Sequence, residues 1–217
     1  MELYETDAAI GEHVRRSDPF REPLIAAFTA MTMDERWVIR SPDVMLATFP
    51  WFRGEGFQQI LADVLALAAD RPVLVEGFRL LPRLVAQQLT RPRRAAWLIP
   101  TPALRLAAFE ARGTLPQIAG RTSGPQRALR NLLERDALFT DEIAAEARTL
   151  GLPVIEVDGG RGVDDTVHRV AVSLGLQAPP MPLSPLLLPL ADRRLPSAAQ
   201  LQPSPYDGSR IAKRRVE

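Results

Sequence analysis

The segment RPVLVEG, at residues 71–77, decides the fold class of this chain. Its centre, Val73-Leu74-Val75, is a short continuous apolar run, which is typical of a strand in a parallel sheet covered on both faces. Glu76 and Gly77 follow directly, so the pattern predicts a carboxylate at the carboxyl end of that strand. Ligands of open α/β sheets bind at this edge. We therefore expect an α/β fold with a site near Glu76.

Three further runs predict strands, at residues 2–6, 95–99 and 153–157. Asp7 follows the first, and the glycine-rich segment 158–162 follows the last. Helical spacing of apolar residues is found at residues 23–31, 57–69, 80–89, 103–112, 126–150 and 163–176. This alternation of strands and helices predicts a three-layer parallel α/β sheet.

The fifth of these helices invites a more detailed prediction. Thr140 precedes two acidic residues, so it could begin a new helix as an N-cap and break the segment near residues 139–140. Gly151 fits the end of the helix as a C-cap. Between the first two helices, residues 34–53 are expected to be irregular. The aromatic residues there could cover an acceptor ring, but Trp37, Trp51 and Phe57 fit a core better.

Composition limits the class of protein. The 217 residues are 46% hydrophobic and contain no cysteine, so one sizeable core is possible and disulfides are not. The formal net charge of +1 offers no field that would favour nucleic acid or an anionic membrane. Neither a signal peptide nor a membrane-spanning apolar run is visible. We expect one cytoplasmic domain at residues 1–177 and a proline-rich, disordered tail at 178–217.

The order of elements over residues 1–176 resembles the P-loop kinases of small molecules, the group that holds nucleoside, shikimate, gluconate and adenylate kinases. The motifs that carry the resemblance are Asp7 after the first run, Glu76-Gly77 after the second, an arginine-rich stretch after the third and residues 158–162 after the fourth. The resemblance implies transfer of the γ-phosphoryl group of ATP, with Mg²⁺, to a small hydroxyl or phosphate acceptor.

The same resemblance implies roles for particular residues. Asp7 would orient the acceptor hydroxyl or accept its proton, and Glu76 would hold metal-bound water or a substrate hydroxyl. The other implied residues are Arg15, Arg16, Glu35 and Arg36 for the acceptor, Arg112, Arg121 and Arg127 for a lid over the phosphates, and Gly159, Gly160 and Arg161 for a loop beside the nucleotide base. Each also fits a plainer role as a turn residue, a helix cap or an exposed ion-pair partner. No histidine has a partner at metal-ligand spacing, so no metal ligand is predicted.

One part of the family pattern is missing from the printed sequence. These kinases have a strand, a glycine-rich loop ending in Gly-Lys-Ser or Gly-Lys-Thr, and a helix before the segment that corresponds to residues 3–7. Lys213 is the only lysine here. The missing strand is the central one in the usual order 2-3-1-4-5, so its absence would leave a gap between strands.

Three explanations of this gap are open: a start site placed too late, a degenerate homologue, or another segment filling the space. We favour the first and expect about 25 further residues in the complete product. The 217 residues alone should then be inactive. The alternative function is a non-catalytic binding or scaffold protein that uses its basic proline-rich tail for a partner. Nucleic-acid binding through residues 91–94 lacks the interleaved aromatic residues that would support it.

Overall fold

A computed structural model describes residues 2–67, 71–91, 94–111 and 117–176. Arg112 and the proline-rich tail therefore lie outside the described residues. Within them, no helix is long and apolar enough to cross a membrane.

Four short strands are present, and each overlaps one of the predicted apolar runs. They are β1 (Glu2–Glu5), β2 (Val73–Glu76), β3 (Trp97–Pro100) and β4 (Val154–Val157). The strands pair in parallel as β1 with β2 and β3 with β4, which makes two separate two-stranded sheets among the described residues. Glu5 lies opposite Glu76 in the first pair, and Pro100 lies opposite Val157 in the second. The four strands are confirmed, while the single three-layer sheet stays a prediction.

The helices surround these two strand pairs. They are α1 (Ile10–Arg16), α2 (Pro23–Ala30), α3 (Pro42–Thr48), α4 (Pro50–Arg53), α5 (Phe57–Ala66), α6 (Pro82–Ala86), α7 (Pro102–Ala111), α8 (Pro125–Thr149) and α9 (Val163–Ser173), with a π-helical turn at Glu35–Ile39 and a 3-10 turn at Ala119–Arg121.

The predicted break near residues 139–140 is wrong. Helix α8 runs without interruption, because Thr140 Oγ1 donates to the carbonyl of Asp136 at 2.6 Å within the helix and does not cap a new one. Packing favours continuity as well, since Leu132, Phe139 and Ile143 form one buried stripe along α8. The C-cap prediction is confirmed, because Gly151 has a φ of +67° just beyond the helix.

The expectation of an irregular segment at residues 34–53 is also wrong, since most of this segment is helical. Pro42 and Pro50 each stand in the first turn of a helix, where their fixed φ is compatible with helix and their missing N–H is not needed. Ser41 caps α3, because its hydroxyl accepts a hydrogen bond from the backbone of Val44 at 3.4 Å.

The centre of the core is aromatic and lies in this same segment. Phe49 is fully buried, and its ring contacts those of Phe28, Trp51 and Phe52 at centroid distances of 4.5–5.2 Å. Trp37, Trp51 and Phe57 are each 5% exposed or less, so the prediction that they belong to the core is confirmed.

The strands are not covered on both faces, contrary to the expectation from their sequences. Leu74 in β2 is 39% exposed and Leu98 in β3 is 46% exposed. Both are apolar residues at the centre of a strand, where a parallel sheet normally excludes water. The described elements therefore leave apolar strand surface open to solvent.

Candidate functional site

A cavity of about 980 Å³ lies against both strand pairs, and all four residues of β2 and of β3 line it. Among the helices, α5 and α8 contribute the most residues to the rest of its wall, and the wall is largely apolar. Strand β2 pairs only with β1, and β3 pairs only with β4, within the described ranges. The second backbone edge of each strand therefore has no neighbouring strand there.

Two acidic residues line this cavity at the carboxyl ends of the first strand pair. Asp7 follows β1 and Glu76 ends β2, and both are lining residues. The pairing continues past the strands, since Thr6 N–H donates to the carbonyl of Glu76 at 2.9 Å. Thr6 Oγ1 in turn donates to Asp7 Oδ1 at 3.1 Å. The structure thus places both acidic residues that the sequence suggested along this cavity, at the ends of neighbouring strands.

Gly77 allows the two chain segments to approach closely. Its φ is +133°, in the region that favours glycine. A Cβ atom at this position would lie 1.9 Å from Thr6 Oγ1 and 2.9 Å from Asp7 Oδ1. The glycine is therefore a geometric requirement for placing Asp7 beside the end of β2.

A buried arginine that the sequence interpretation missed supports the same end of the sheet. Arg79 is 1% exposed, and its guanidinium donates to the carbonyls of Thr6 at 2.9 Å and Gly56 at 3.3 Å. It therefore ties the end of β1 to the turn before α5. Its position two residues after the Glu76-Gly77 motif, between Phe78 and the apolar pair Leu80-Leu81, was the available signal.

Three arginines line the cavity: Arg94, Arg105 and Arg135. Arg105 of α7 donates to the carbonyl of Pro100 at 3.4 Å, near the end of β3. Arg135 of α8 lies in the apolar stripe of that helix, between Leu132 and Phe139 at helical spacing. A charge inside an apolar stripe is a visible sequence signal, and the sequence interpretation did not use it.

The other predicted site residues that the structure describes lie outside the lining of this cavity. Arg15 pairs with Glu12, and Arg16 Nη2 contacts both carboxylate oxygens of Asp63 at 3.0 Å. The Glu35 carboxylate accepts hydrogen bonds from the backbone and the hydroxyl of Thr32.

Arg36 caps helix α2, since its guanidinium donates to the carbonyls of Phe28 and Thr29. Burial lowers the pKa of Arg36, and the charge of Arg121 acts in the same direction. Arg36 was predicted for the acceptor and Arg121 for the lid, and neither lines the cavity.

Arg127 is exposed near the start of α8. The loop after β4 contains Gly159, whose φ is +79°, and Gly160, whose N–H donates to Asp158 Oδ1 at 2.9 Å. Arg161 lies 3.8 Å from Asp165 at the start of α9.

A polar cluster of Tyr4, His13, Arg16 and Asp63 lies beside β1. His13 is fully buried, and its Nε2 lies 2.7 Å from Asp63 Oδ2, which also accepts a 2.7 Å hydrogen bond from the Tyr4 hydroxyl. Burial would raise the pKa of Asp63, but hydrogen bonds from His13, Tyr4 and Arg16 lower it to about 2. Burial, with the hydrogen bond to Asp63, raises the pKa of Tyr4 to about 12.

This cluster should make the stability of the protein depend on pH. Burial lowers the pKa of His13 below its ordinary value, aided by the charges of Arg79 and Arg16 and opposed by the hydrogen bond to Asp63. The unfolded state then binds a proton at His13 more readily than the folded state. The free energy of unfolding should therefore fall as the pH drops below about 6.5. Asp63, whose pKa is also lowered, should add a further loss as the pH falls from about 4 towards 2.

The variant His13→Gln tests the first of these pH ranges. Glutamine keeps a donor near Asp63 but does not titrate, so the loss of stability between pH 7.5 and pH 5 should be smaller than in the wild type. Urea unfolding at the two pH values measures it. His168→Gln, at the other histidine of the chain, is the matched control and should keep the wild-type loss. An equal loss in all three proteins would contradict the role of His13.

Comparison with known proteins adds no relative: no protein-family model, no curated protein and no solved structure matches this chain.

Proposed function

We propose that this chain is the larger part of a phosphotransferase of the small-molecule kinase type, which transfers the γ-phosphoryl group of ATP to a small hydroxyl or phosphate acceptor. One observation carries the proposal. Asp7 and Glu76 both lie at the carboxyl ends of parallel strands, and both line a cavity bordered by two strand edges that have no neighbouring strand in the described residues. Ligands of parallel α/β sheets bind at such ends.

The phosphate-binding loop is proposed to come from a segment outside these 217 residues. An added strand between β2 and β3 would give their open edges hydrogen-bond partners and would place its own carboxyl end beside Asp7 and Glu76. A loop at that end followed by a helix would bring backbone N–H groups to the ligand phosphates. This supports the strand order β1-β2-added-β3-β4, which is the order expected from the resemblance.

The residues of this chain would serve the acceptor and the metal. Asp7 would orient the acceptor hydroxyl and take up its proton, since phosphoryl transfer depends mainly on positioning and charge compensation. Mg²⁺ in kinases keeps several waters and takes only one or two carboxylates together with substrate phosphates. Glu76, on the cavity wall, could supply one such carboxylate. When bound, Mg²⁺ neutralises charge that develops on the phosphates.

Calorimetric titration with ATP and Mg²⁺ tests the proposal on two proteins. One is the 217-residue chain, and the other is the same chain extended by the residues encoded upstream in the same reading frame. Binding by the extended chain but not by the shorter one supports the kinase. Absence of ATP binding by both chains supports the scaffold alternative. An in-frame stop codon immediately before Met1 would contradict the proposed extension.

The variant Glu76→Gln tests the metal or acceptor role within the extended chain. The amide keeps the shape but loses the charge, so turnover should fall by about 100-fold while the unfolding transition stays close to that of the wild type. Steady-state kinetics with ATP and a set of small hydroxyl acceptors measures turnover. Glu142→Gln, in an exposed ion pair with Arg53, is the matched control and should leave turnover unchanged. Unchanged turnover in Glu76→Gln would exclude Glu76 from the mechanism.

A further inference from the structure

Helix α8 carries a charged side chain on its buried face. Arg135 is 5% exposed and lies in the same stripe as Leu132 and Phe139, and all three residues line the cavity. An apolar side chain at this position would complete the stripe without the cost of removing a charge from water. The presence of a guanidinium here therefore calls for an explanation other than packing.

Aromatic rings and one carboxylate hold this guanidinium in place. Its Cζ atom lies 5.1 Å from the ring centroid of Trp37, 4.6 Å from that of Phe49 and 5.1 Å from that of Phe52. Its Nε and Nη2 atoms both donate to Asp136 Oδ1, at 2.8 and 2.5 Å. These contacts use two of its three nitrogens and orient the third.

The third nitrogen, Nη1, has no hydrogen-bond partner among the described residues. Arg135 Nη1 is buried and makes no hydrogen bond within the part of the chain that the structure describes. Buried donors are nearly always paired, because an unpaired donor loses its water contacts without compensation. Positive charge is also concentrated here, since burial and then the charges of Arg135 and Arg36 lower the pKa of Arg40.

We propose that Arg135 binds a phosphate oxygen of a ligand in the cavity through Nη1. A guanidinium is a planar donor that suits phosphate oxygens, and the rings around it limit the geometries it can adopt. The assignment of this ligand as a substrate or a nucleotide rests on the proposed function. A phosphotransferase binds phosphate groups at its nucleotide site and at its acceptor site. Arg135 is then a phosphate-binding residue on α8, additional to the arginines of the predicted lid.

Titration of the full 217-residue chain with inorganic phosphate tests this inference. Binding is followed by calorimetry and by tryptophan fluorescence, since Trp37 contacts the guanidinium directly. The variants are Arg135→Met, which removes the charge, and Arg135→Lys, which keeps the charge but not the planar donor. The matched control is Arg148→Met on the same helix, where the arginine is exposed and pairs with Glu156 at 3.3 Å.

The wild type and Arg148→Met should bind phosphate equally, and Arg135→Met should bind it about tenfold more weakly or not at all. Arg135→Lys should be intermediate. Thermal unfolding supplies a second readout, because removal of a buried charge that serves only binding should leave the midpoint unchanged or raised. A lowered midpoint in Arg135→Met with unchanged phosphate affinity would show a structural arginine and overturn the inference, as would a wild type that does not bind phosphate.

The same phosphate titration on the extended chain separates this inference from the proposed function. If phosphate binding depends on Arg135 but ATP does not bind, the inferred anion site is supported and the proposed kinase function is rejected. ATP binding that is unaffected by Arg135→Met, together with unaffected phosphate binding, would keep the kinase and reject the role of Arg135.

Discussion

Replacement of Gly77 by alanine is expected to lower the free energy of unfolding by about 3–5 kcal/mol. The φ of +133° at Gly77 is strained for any residue with a side chain. The added methyl carbon would also lie 1.9 Å from Thr6 Oγ1 and 3.1 Å from Thr6 Cβ. Thr6 is fully buried and β-branched, so it cannot rotate away without displacing its neighbours. Urea unfolding of the full chain measures the loss.

Gly11→Ala is the matched control for this substitution. Gly11 lies in helix α1, and a Cβ atom there would meet nothing within 4 Å. Alanine should therefore stabilise the protein by about 0.5–1 kcal/mol, the opposite sign to the change at Gly77. A Gly77→Ala protein as stable as the wild type would mean that the close approach of Thr6 and Gly77 is not required for folding.

Replacement of Arg79 by methionine is expected to lower the free energy of unfolding by about 2–4 kcal/mol. Methionine fills part of the volume, but the carbonyls of Thr6 and Gly56 would lose the guanidinium that bonds them. Arg79 is 1% exposed, so water cannot readily replace those two bonds. The loss should be accompanied by a looser end of β1, which hydrogen exchange at the Thr6 amide would detect.

Arg53→Met is the control that measures the effect of removing an exposed arginine. Arg53 Nη2 contacts Glu142 at 2.7 Å, but its side chain is 32% exposed. Surface ion pairs of this kind contribute about 0–1 kcal/mol, so this variant should lie close to the wild type. Equal losses in Arg53→Met and Arg79→Met would contradict the argument that burial of the carbonyl partners makes Arg79 important.

The strands and the two carboxylates could be predicted because their signals are local. A continuous apolar run such as Val73-Leu74-Val75 favours a buried strand wherever it lies, and a residue just after the run falls at the strand end. Asp7 and Glu76 were predicted on that basis, and both line the cavity. The continuous course of α8 was missed because the local capping signal of Thr140 is weaker than the packing of the whole apolar stripe.

The buried arginines and the polar cluster depend on contacts between distant parts of the chain. Arg79 bonds to Thr6, 73 positions earlier, and Asp63 collects hydrogen bonds from His13 and Tyr4, 50 and 59 positions earlier. Nothing in the sequence near His13 or Asp63 marks these pairs. Their energies come from burial and geometry, which exist only after the chain has folded.

The sequence alone therefore determined the types of element, the positions of the four strands and the acids at the ends of the first two, because hydrophobic periodicity and chain order act over a few residues. The tertiary structure alone decided that the described strands pair two by two beside an apolar cavity. It also decided that Arg135 packs among aromatic rings at the cavity wall, where its Nη1 atom makes no hydrogen bond within the described residues. Such features follow from which surfaces meet, and that choice is made by packing over the whole domain.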